Sequence, residues 1–259
     1  MENSPLQRDL DSISEKCASL NLRLNPLKCT VMRFGDRRGH SEVQYSISGQ
    51  ALCFVNSVKD LGVLVDSSLR FHGHIREVAR KAGGLMSSLL RATVCRSSNF
   101  MVTLYISHIR PILDYASSVW NTNYLADIRL LESLQRRWTR EIAGLQQLPY
   151  EERLKRANLY SVYGRLLRVD MIKVWKSFHS EVDVGLSSLF QRSAVTGTRG
   201  HTYKLAVVRS RTETRRRFFA VRVVSHWNAL PLGVVESATL GTFKSRLDDW
   251  LGDLLYSSL

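Results

Sequence analysis

Within SPLQRDLDSISEKCASLNL (residues 4–22), Leu6, Leu10, Ile13, Cys17 and Leu20 recur at steps of four, three, four and three. That spacing predicts a helix with one apolar stripe, on which Cys17 is a core residue. Ser4 is placed to cap it and Pro5 suits its first position. The pattern then changes to alternation. Thr30, Met32 and Phe34 would face one way and Cys29, Val31 and Arg33 the other, which predicts a strand. FGDRRGH turns the chain, and VQYSISGQALCFV predicts two short strands around Gly49-Gln50, a hairpin. SVKDLGVLVD predicts a further strand, with Leu61, Val63 and Val65 alternating around Gly62 and Leu64.

From about residue 73 the period becomes helical. Ile75, Val78, Ala79, Ala82, Leu85, Met86 and Leu89 define one helix. A second runs from about Asn99 to Trp120, with Pro111 expected to break or kink it at Arg110. A third spans about 124–143, with Ile128, Leu131, Leu134, Trp138 and Ile142 inward and Arg129, Arg136, Arg137 and Arg140 on the other face. LPYEERLKRANL starts a short helix and SVYGRLLRVDMIKVWKSFHS a longer one. Periodicity fades over about 180–214, a basic loop with one candidate strand at 203–208. Helices are expected again around 215–228 and 240–256, the latter with Phe243, Leu247, Trp250, Leu251 and Leu254 on one side. The fold class is α+β: helix, strand, hairpin and strand, followed by a mainly helical region.

Charge sharpens this division. The 259 residues carry a net +14, and the surplus is +2 over residues 1–80, +8 over 81–179 and +4 over 180–259. A basic helical region favours a polyanionic partner, most often nucleic acid and sometimes an anionic membrane. The candidates for contact are LQRRWTR (134–140) and RSRTETRRRFF (209–219), where arginines beside aromatics can grip phosphates and stack on bases. The bland alternative is a solvated helix face with Trp138 in the core. No apolar run approaches the 18 residues that a membrane span requires and no signal peptide opens the chain, so an intracellular location, nucleus or cytoplasm, is expected.

Self-contained enzyme chemistry finds little support. The chain has no GxSxG elbow, Walker A loop or HExxH. Its four cysteines form no CxxC pair, which argues against structural zinc. His72 and His74 read better as solvated or capping groups at a helix start than as metal ligands. Asp60 and Asp66 read as turn residues, and Asp114 as a structural ion-pair partner of Arg110. Cys29 reads as a small apolar group on a strand. Lys28, where that strand begins, is either a contact to a nucleotide or primer phosphate or a surface lysine on an edge strand.

These segments also resemble a known family. LNLRLNPLKCTVMRFG, the hairpin and VKDLGVLVDSSLRFHGHI resemble the segment just downstream of the catalytic aspartate pair in reverse transcriptases of non-LTR retrotransposons, with its N-x-x-K strand, hairpin and K-x-L-G strand. YISHIRPILDYASSVWN, LESLQRRWTREIAGLQQLPYEERLKRANLYSVYGRLLRVDMIKVWK and RRRFFAVRVVSHWNALP resemble the region that follows in jockey-like and LINE-like animal elements. The resemblance implies the end of a palm in residues 1–72, a thumb-like region in 73–148 and a connection region in 149–259. It also implies RNA-directed DNA synthesis by two-metal phosphoryl transfer, with Mg²⁺ as the complete enzyme's cofactor.

On this resemblance Asn25, Lys28, Leu61 and Gly62 are expected near the primer, with Arg136, Arg137 and Arg140 on an RNA or RNA/DNA primer–template duplex. One departure matters. No Y-x-D-D or F-x-D-D occurs in the chain, so catalytic and metal-ligating residues are absent from it. The chain alone is expected to bind no cofactor and to be inactive, its simplest source being a truncated gene model or a decayed element. The alternatives are a non-catalytic nucleic-acid-binding protein and a non-functional remnant that self-associates through exposed palm surface.

Overall fold

The computed structural model describes residues 4–35, 43–179, 187–193 and 201–258, and the chain divides into two compact units, Met1–Leu69 and Arg70–Leu259. The fold is α+β, with helices dominating and a few small sheets.

Unit 1 opens with α1 (Pro5–Ser19), whose first position is Pro5; Ser4 stands at its N-cap without a side-chain capping bond. The expected stripe is there, but it enters no core. No residue of α1 is buried, Leu6 and Ile13 are exposed and Cys17 is half-buried rather than in a core. Among the described residues the strands of this unit pair two by two, and such ribbons offer no broad face for a helix to lie on. A side-chain amide ties α1 to the first hairpin: Gln7 donates to the carbonyl of Ser46 (2.9 Å) and accepts from its N–H (2.9 Å), and Ser4 Oγ lies 3.4 Å from Tyr45 Oη.

The strand expected over 29–34 is shorter than its pattern. A 3₁₀ turn at Pro26–Lys28 precedes β1 (Thr30–Val31), which pairs in parallel with β4 (Cys53–Phe54). Cys29 and Val31 are half-buried and Thr30 is exposed, as the alternation requires, but it lapses beyond β1, where Met32 is half-buried and Arg33 is exposed. β2 (Ser46–Ile47) and β3 (Gln50–Ala51) form the expected hairpin, but its turn is Ser48–Gly49, with φ of 51° and 80°. The strand expected over 57–66 is in fact a second hairpin. β5 (Ser57–Asp60) and β6 (Val63–Asp66) pair antiparallel about Leu61–Gly62, whose φ values are 43° and 88°. Two positive-φ residues make the mirror-image turn that matches strand twist, and glycine supplies the second at no steric cost. The buried apolar side chains of this unit's described residues are Ile47, Leu52 and Val63.

Unit 2 is helical. α2 (His72–Ala92) buries His74, Ile75, Val78, Ala79, Ala82 and Met86. The helix expected over 99–120 is segmented: α3 (Ser98–Leu104), a π turn at Tyr105–Ile109, α4 (Arg110–Asp114) and α5 (Ser117–Trp120). Pro111 does not break it at Arg110. The wider π turn makes room for the ring and its missing N–H, and the break comes at Tyr115–Ala116, where Ala116 has φ 51°. α6 (Leu125–Arg140) packs along α2 and runs in the same direction, since His72 meets Asp127 and Ser87 meets Arg137. α7 (Tyr150–Ala157) and α8 (Val162–His179) follow.

The last part contains more breaks than the pattern implied. The strand expected at 203–208 is a single antiparallel bridge between Arg192 and Leu205; residues 180–186 and 194–200 of the basic loop lie outside the described residues. The helix expected over 215–228 is three short ones, α9 (Glu213–Arg217), α10 (Phe219–Arg222) and α11 (Val224–Asn228). α12 (Leu232–Val235) was not expected, and α13 (Leu240–Leu251) ends in a 3₁₀ turn at Gly252–Leu255. That turn rotates the stripe, so Leu255 is buried in place of Leu254, and Trp250 is exposed. Trp175, Trp227, Phe243 and Leu247 centre the core here, with the Trp175 and Phe243 rings stacked at 5.4 Å.

Candidate nucleic-acid interface

The residues expected near a primer lie in unit 1. Asn25 caps the 3₁₀ turn, its side-chain oxygen accepting from Leu27 N–H at 3.0 Å. That bond fixes the chain just before β1 and leaves Lys28 exposed at the end of the turn. Leu61 is 85% exposed at the tip of the β5–β6 hairpin, beside Gly62. Asp66 accepts from the N–H of Ser68 at 3.0 Å, an exit-turn role.

The arginines lie in unit 2. Arg129, Arg136, Arg137 and Arg140 are exposed along α6, opposite the buried Ile128, Leu131 and Trp138. Arg137 reaches Ser87 Oγ on α2 at 3.4 Å, and Arg136 reaches Ser258 Oγ at 3.3 Å. Among the described residues, none of these four arginines forms an ion pair, so their charge faces solvent. Trp138 offers no stacking surface: it is fully buried and its Nε1 donates to the carbonyl of Met101 at 3.1 Å. Burying such a ring removes roughly 200 Å² from water, about 5 kcal/mol before entropic costs, far more than one stacked base returns.

The second basic segment is partly spoken for. Arg217 donates to the carbonyls of Thr122 (3.2 Å) and Asn123 (2.8 Å) and lies 3.9 Å over the Tyr124 ring. It holds α9 to the start of α6. Arg222 makes a forked pair with Asp170 at 2.8–3.1 Å, both nearly fully buried.

Sequence reasoning missed a polar network inside the helices. Glu132 and Gln135 are buried on α6. Glu132 accepts from Tyr150 Oη and from the N–H groups of Val162 (3.0 Å) and Tyr163 (3.4 Å), the start of α8. Gln135 accepts from Tyr105 Oη and from Arg165, and Arg165 also meets Asp114 at 3.3 Å. Asp114 pairs with Arg110 at 3.1 Å as well, the partner expected from spacing. Burial pushes the Tyr105 hydroxyl up to about 12. Burial opposes the charge on Arg165, but Tyr105, Asp114 and Glu132 together hold it above its ordinary value. The signal was present in the spacing: Gln135 stands four after Leu131 and three before Trp138, on the inward stripe.

His72 and His74 are not a chelating pair. His72 Nδ1 meets Asp127 at 2.6 Å, and His74 is buried against Trp120 at 5.8 Å, not solvated. Among the described residues no group of three or more His, Cys, Asp or Glu side chains is placed to hold a metal, and no helix is long and apolar enough to cross a membrane.

No family model and no solved structure matches this chain. It is 28% identical over 198 residues to the RNA-directed DNA polymerase from mobile element jockey of Drosophila funebris, which covers 75% of this chain and 21% of that protein. It is 28% identical over 144 residues to the corresponding Drosophila melanogaster protein, 54% of this chain and 16% of that one. An uncharacterized protein of Caenorhabditis elegans is 30% identical over 118 residues, 44% of this chain and 60% of that one. The chain therefore spans less than two thirds of each of these relatives. It is related in sequence to the RNA-directed DNA polymerases of mobile elements.

Proposed function

We propose that the chain is a fragment of a non-LTR retrotransposon reverse transcriptase that grips a primer–template duplex and does not extend it. In this reading residues 1–72 are the end of the palm, 73–148 a thumb-like region and 149–259 the connection beyond. The similarity to the Drosophila funebris polymerase carries it, because 198 matched residues over 75% of the chain exceed any single motif. The solvent-facing arginines of α6 support the duplex contact, since unpaired guanidinium groups in a row suit a phosphate backbone. Lys28, exposed just before β1, is assigned to the growing primer end, and Gly62 to close approach of the nucleic-acid backbone.

Mg²⁺ belongs to the complete enzyme in this reading. The family's F/Y-A-D-D carboxylates have no counterpart in these 259 residues, and without them two-metal transfer has no ligands. A mobility-shift assay at low salt is expected to retain an RNA/DNA hybrid, while primer extension with Mg²⁺ stays at background. Failure to retain the hybrid overturns the binding claim, and robust extension overturns the inactivity claim.

A second reading, self-association through unit 1, is favoured by the stripe of α1, none of whose residues is buried, and by sheets whose edges, among the described residues, carry no third strand. It predicts dimers or larger species in light scattering, and a monomer at all concentrations would remove it.

A further inference from the structure

Buried arginines in unit 2 generally find an anion or a carbonyl-type acceptor. Arg222 has Asp170, and Arg165 has Asp114 and Gln135. Arg153 on α7 differs. It is 2% exposed, its Nε is buried without an acceptor, and among the described residues its side chain has neither a hydrogen bond nor an ion pair. Its charged neighbours carry the same sign. Burial lowers its pKa, and Arg140 and Arg136 lower it further, while Tyr150 acts in the other direction. A guanidinium buried at Nε and faced by like charge is a favourable place for an anion to join.

The setting is built for such an anion. The guanidinium carbons of Arg136 and Arg153 lie 4.7 and 5.4 Å from the centroid of the same Tyr150 ring. That ring is fixed in place, because its hydroxyl donates to Glu132. The Glu132 carboxylate is already occupied by Tyr150 and by the N–H groups of Val162 and Tyr163, so it does not serve as counter-ion. Arg140 stands one turn beyond Arg136 on the same face of α6, exposed.

We propose that Arg136 and Arg153, which share the Tyr150 ring where α7 packs on α6, form with Arg140, one turn further along α6, a binding site for one phosphate of a nucleic-acid backbone. The planar fork of each guanidinium matches phosphate oxygens. A backbone phosphate is favoured over an isolated one because Arg137 and Arg129 continue the exposed row along α6. The proposal rests on the nucleic-acid reading above and names a contact that the exposed arginines alone did not reveal.

The test uses the full chain, Arg153→Met, and Arg140→Gln as an exposed variant with no folding cost. Inorganic phosphate, compared with chloride at equal ionic strength, is expected to raise the melting temperature of the wild type and of Arg137→Gln, but not of Arg153→Met. Both site variants are expected to weaken binding of an RNA/DNA hybrid about tenfold and to reduce the salt slope by about 0.9, one phosphate's share. If phosphate has no effect beyond chloride and the site variants bind the hybrid like wild type, the site is overturned while the nucleic-acid reading stands. If phosphate protection depends on Arg153 but the wild type binds no hybrid, the nucleic-acid occupant and the functional reading fall together.

Discussion

The Tyr150 hydroxyl donates to the Glu132 carboxylate, and that carboxylate also accepts the first N–H groups of α8. One side chain of α6 thereby ties down the starts of two later helices. Burial pushes the Glu132 carboxyl above its ordinary value, and the hydrogen bonds from Tyr150 and Val162 pull against that rise. Glu132→Ala leaves a buried hydroxyl and helix N–H groups without an acceptor. It is expected to cost about 3 kcal/mol in urea unfolding, and Glu132→Gln, which keeps an acceptor, clearly less.

Asp170 and Arg222 give a pH signature. Burial pushes the Asp170 carboxyl up to about 6 against the opposing pull of Arg222. A carboxyl with a folded pKa above its unfolded value of about 3.9 binds more protons in the fold between those two values. Its contribution to stability is then greatest below the unfolded pKa and is lost as pH rises through about 6. Asp170→Asn does not titrate and leaves Arg222 buried without a carboxylate, an expected loss of about 3 kcal/mol near pH 7. The gap between wild type and variant is expected to widen as pH falls from about 7 to about 4. A gap that narrows in denaturation curves would mean that Arg222 sets the pKa of Asp170.

Gly164 on α8 meets the final turn of the chain. A Cβ there would lie 2.6 Å from the carbonyl oxygen of Leu255 and 2.7 Å from its Cα, both backbone atoms that cannot rotate away. Ser161 N–H donates to the same carbonyl at 2.8 Å, so the contact is anchored. Gly164→Ala is expected to destabilise by about 2–3 kcal/mol, although alanine is the better helix former. Thermal melting of the single variant checks this.

Much of the helical region was legible because its stripes are wide and regular. Ile75, Val78 and Met86 on α2 and Ile128, Leu131 and Trp138 on α6 are buried as their spacing requires. Turns were harder. Asp60-Leu61-Gly62-Val63 carries an apolar residue in the turn itself, so alternation ran straight through what is a hairpin. The stripe of α1 was correctly spaced, but spacing says which residues share a face and not whether anything covers it. At the candidate interface the exposure of Arg136, Arg137 and Arg140 followed from the inward face of α6. Arg153 was hidden because it and Tyr150 come together with Arg136 only through the packing of α7 on α6.

The stripe of α1 leads to its own expectation. Leu6→Glu with Ile13→Lys places charge on a face where no residue is buried, so folding should change by less than about 0.5 kcal/mol. Light scattering is expected to show that the double variant has lost the self-association of the wild type. If both behave identically, this face is not the surface through which copies associate.

The most direct measurement is the affinity for an RNA/DNA hybrid across a salt series, for wild type and for Arg136→Gln/Arg137→Gln/Arg140→Gln. Each phosphate neutralised contributes about 0.9 to the slope of log affinity against log salt. Losing the phosphate shared by Arg136 and Arg140 and the one held by Arg137 is expected to make the slope shallower by about 1.8 and to weaken binding at low salt whatever the duplex sequence. Equal affinity and equal slope for the two proteins would contradict the account.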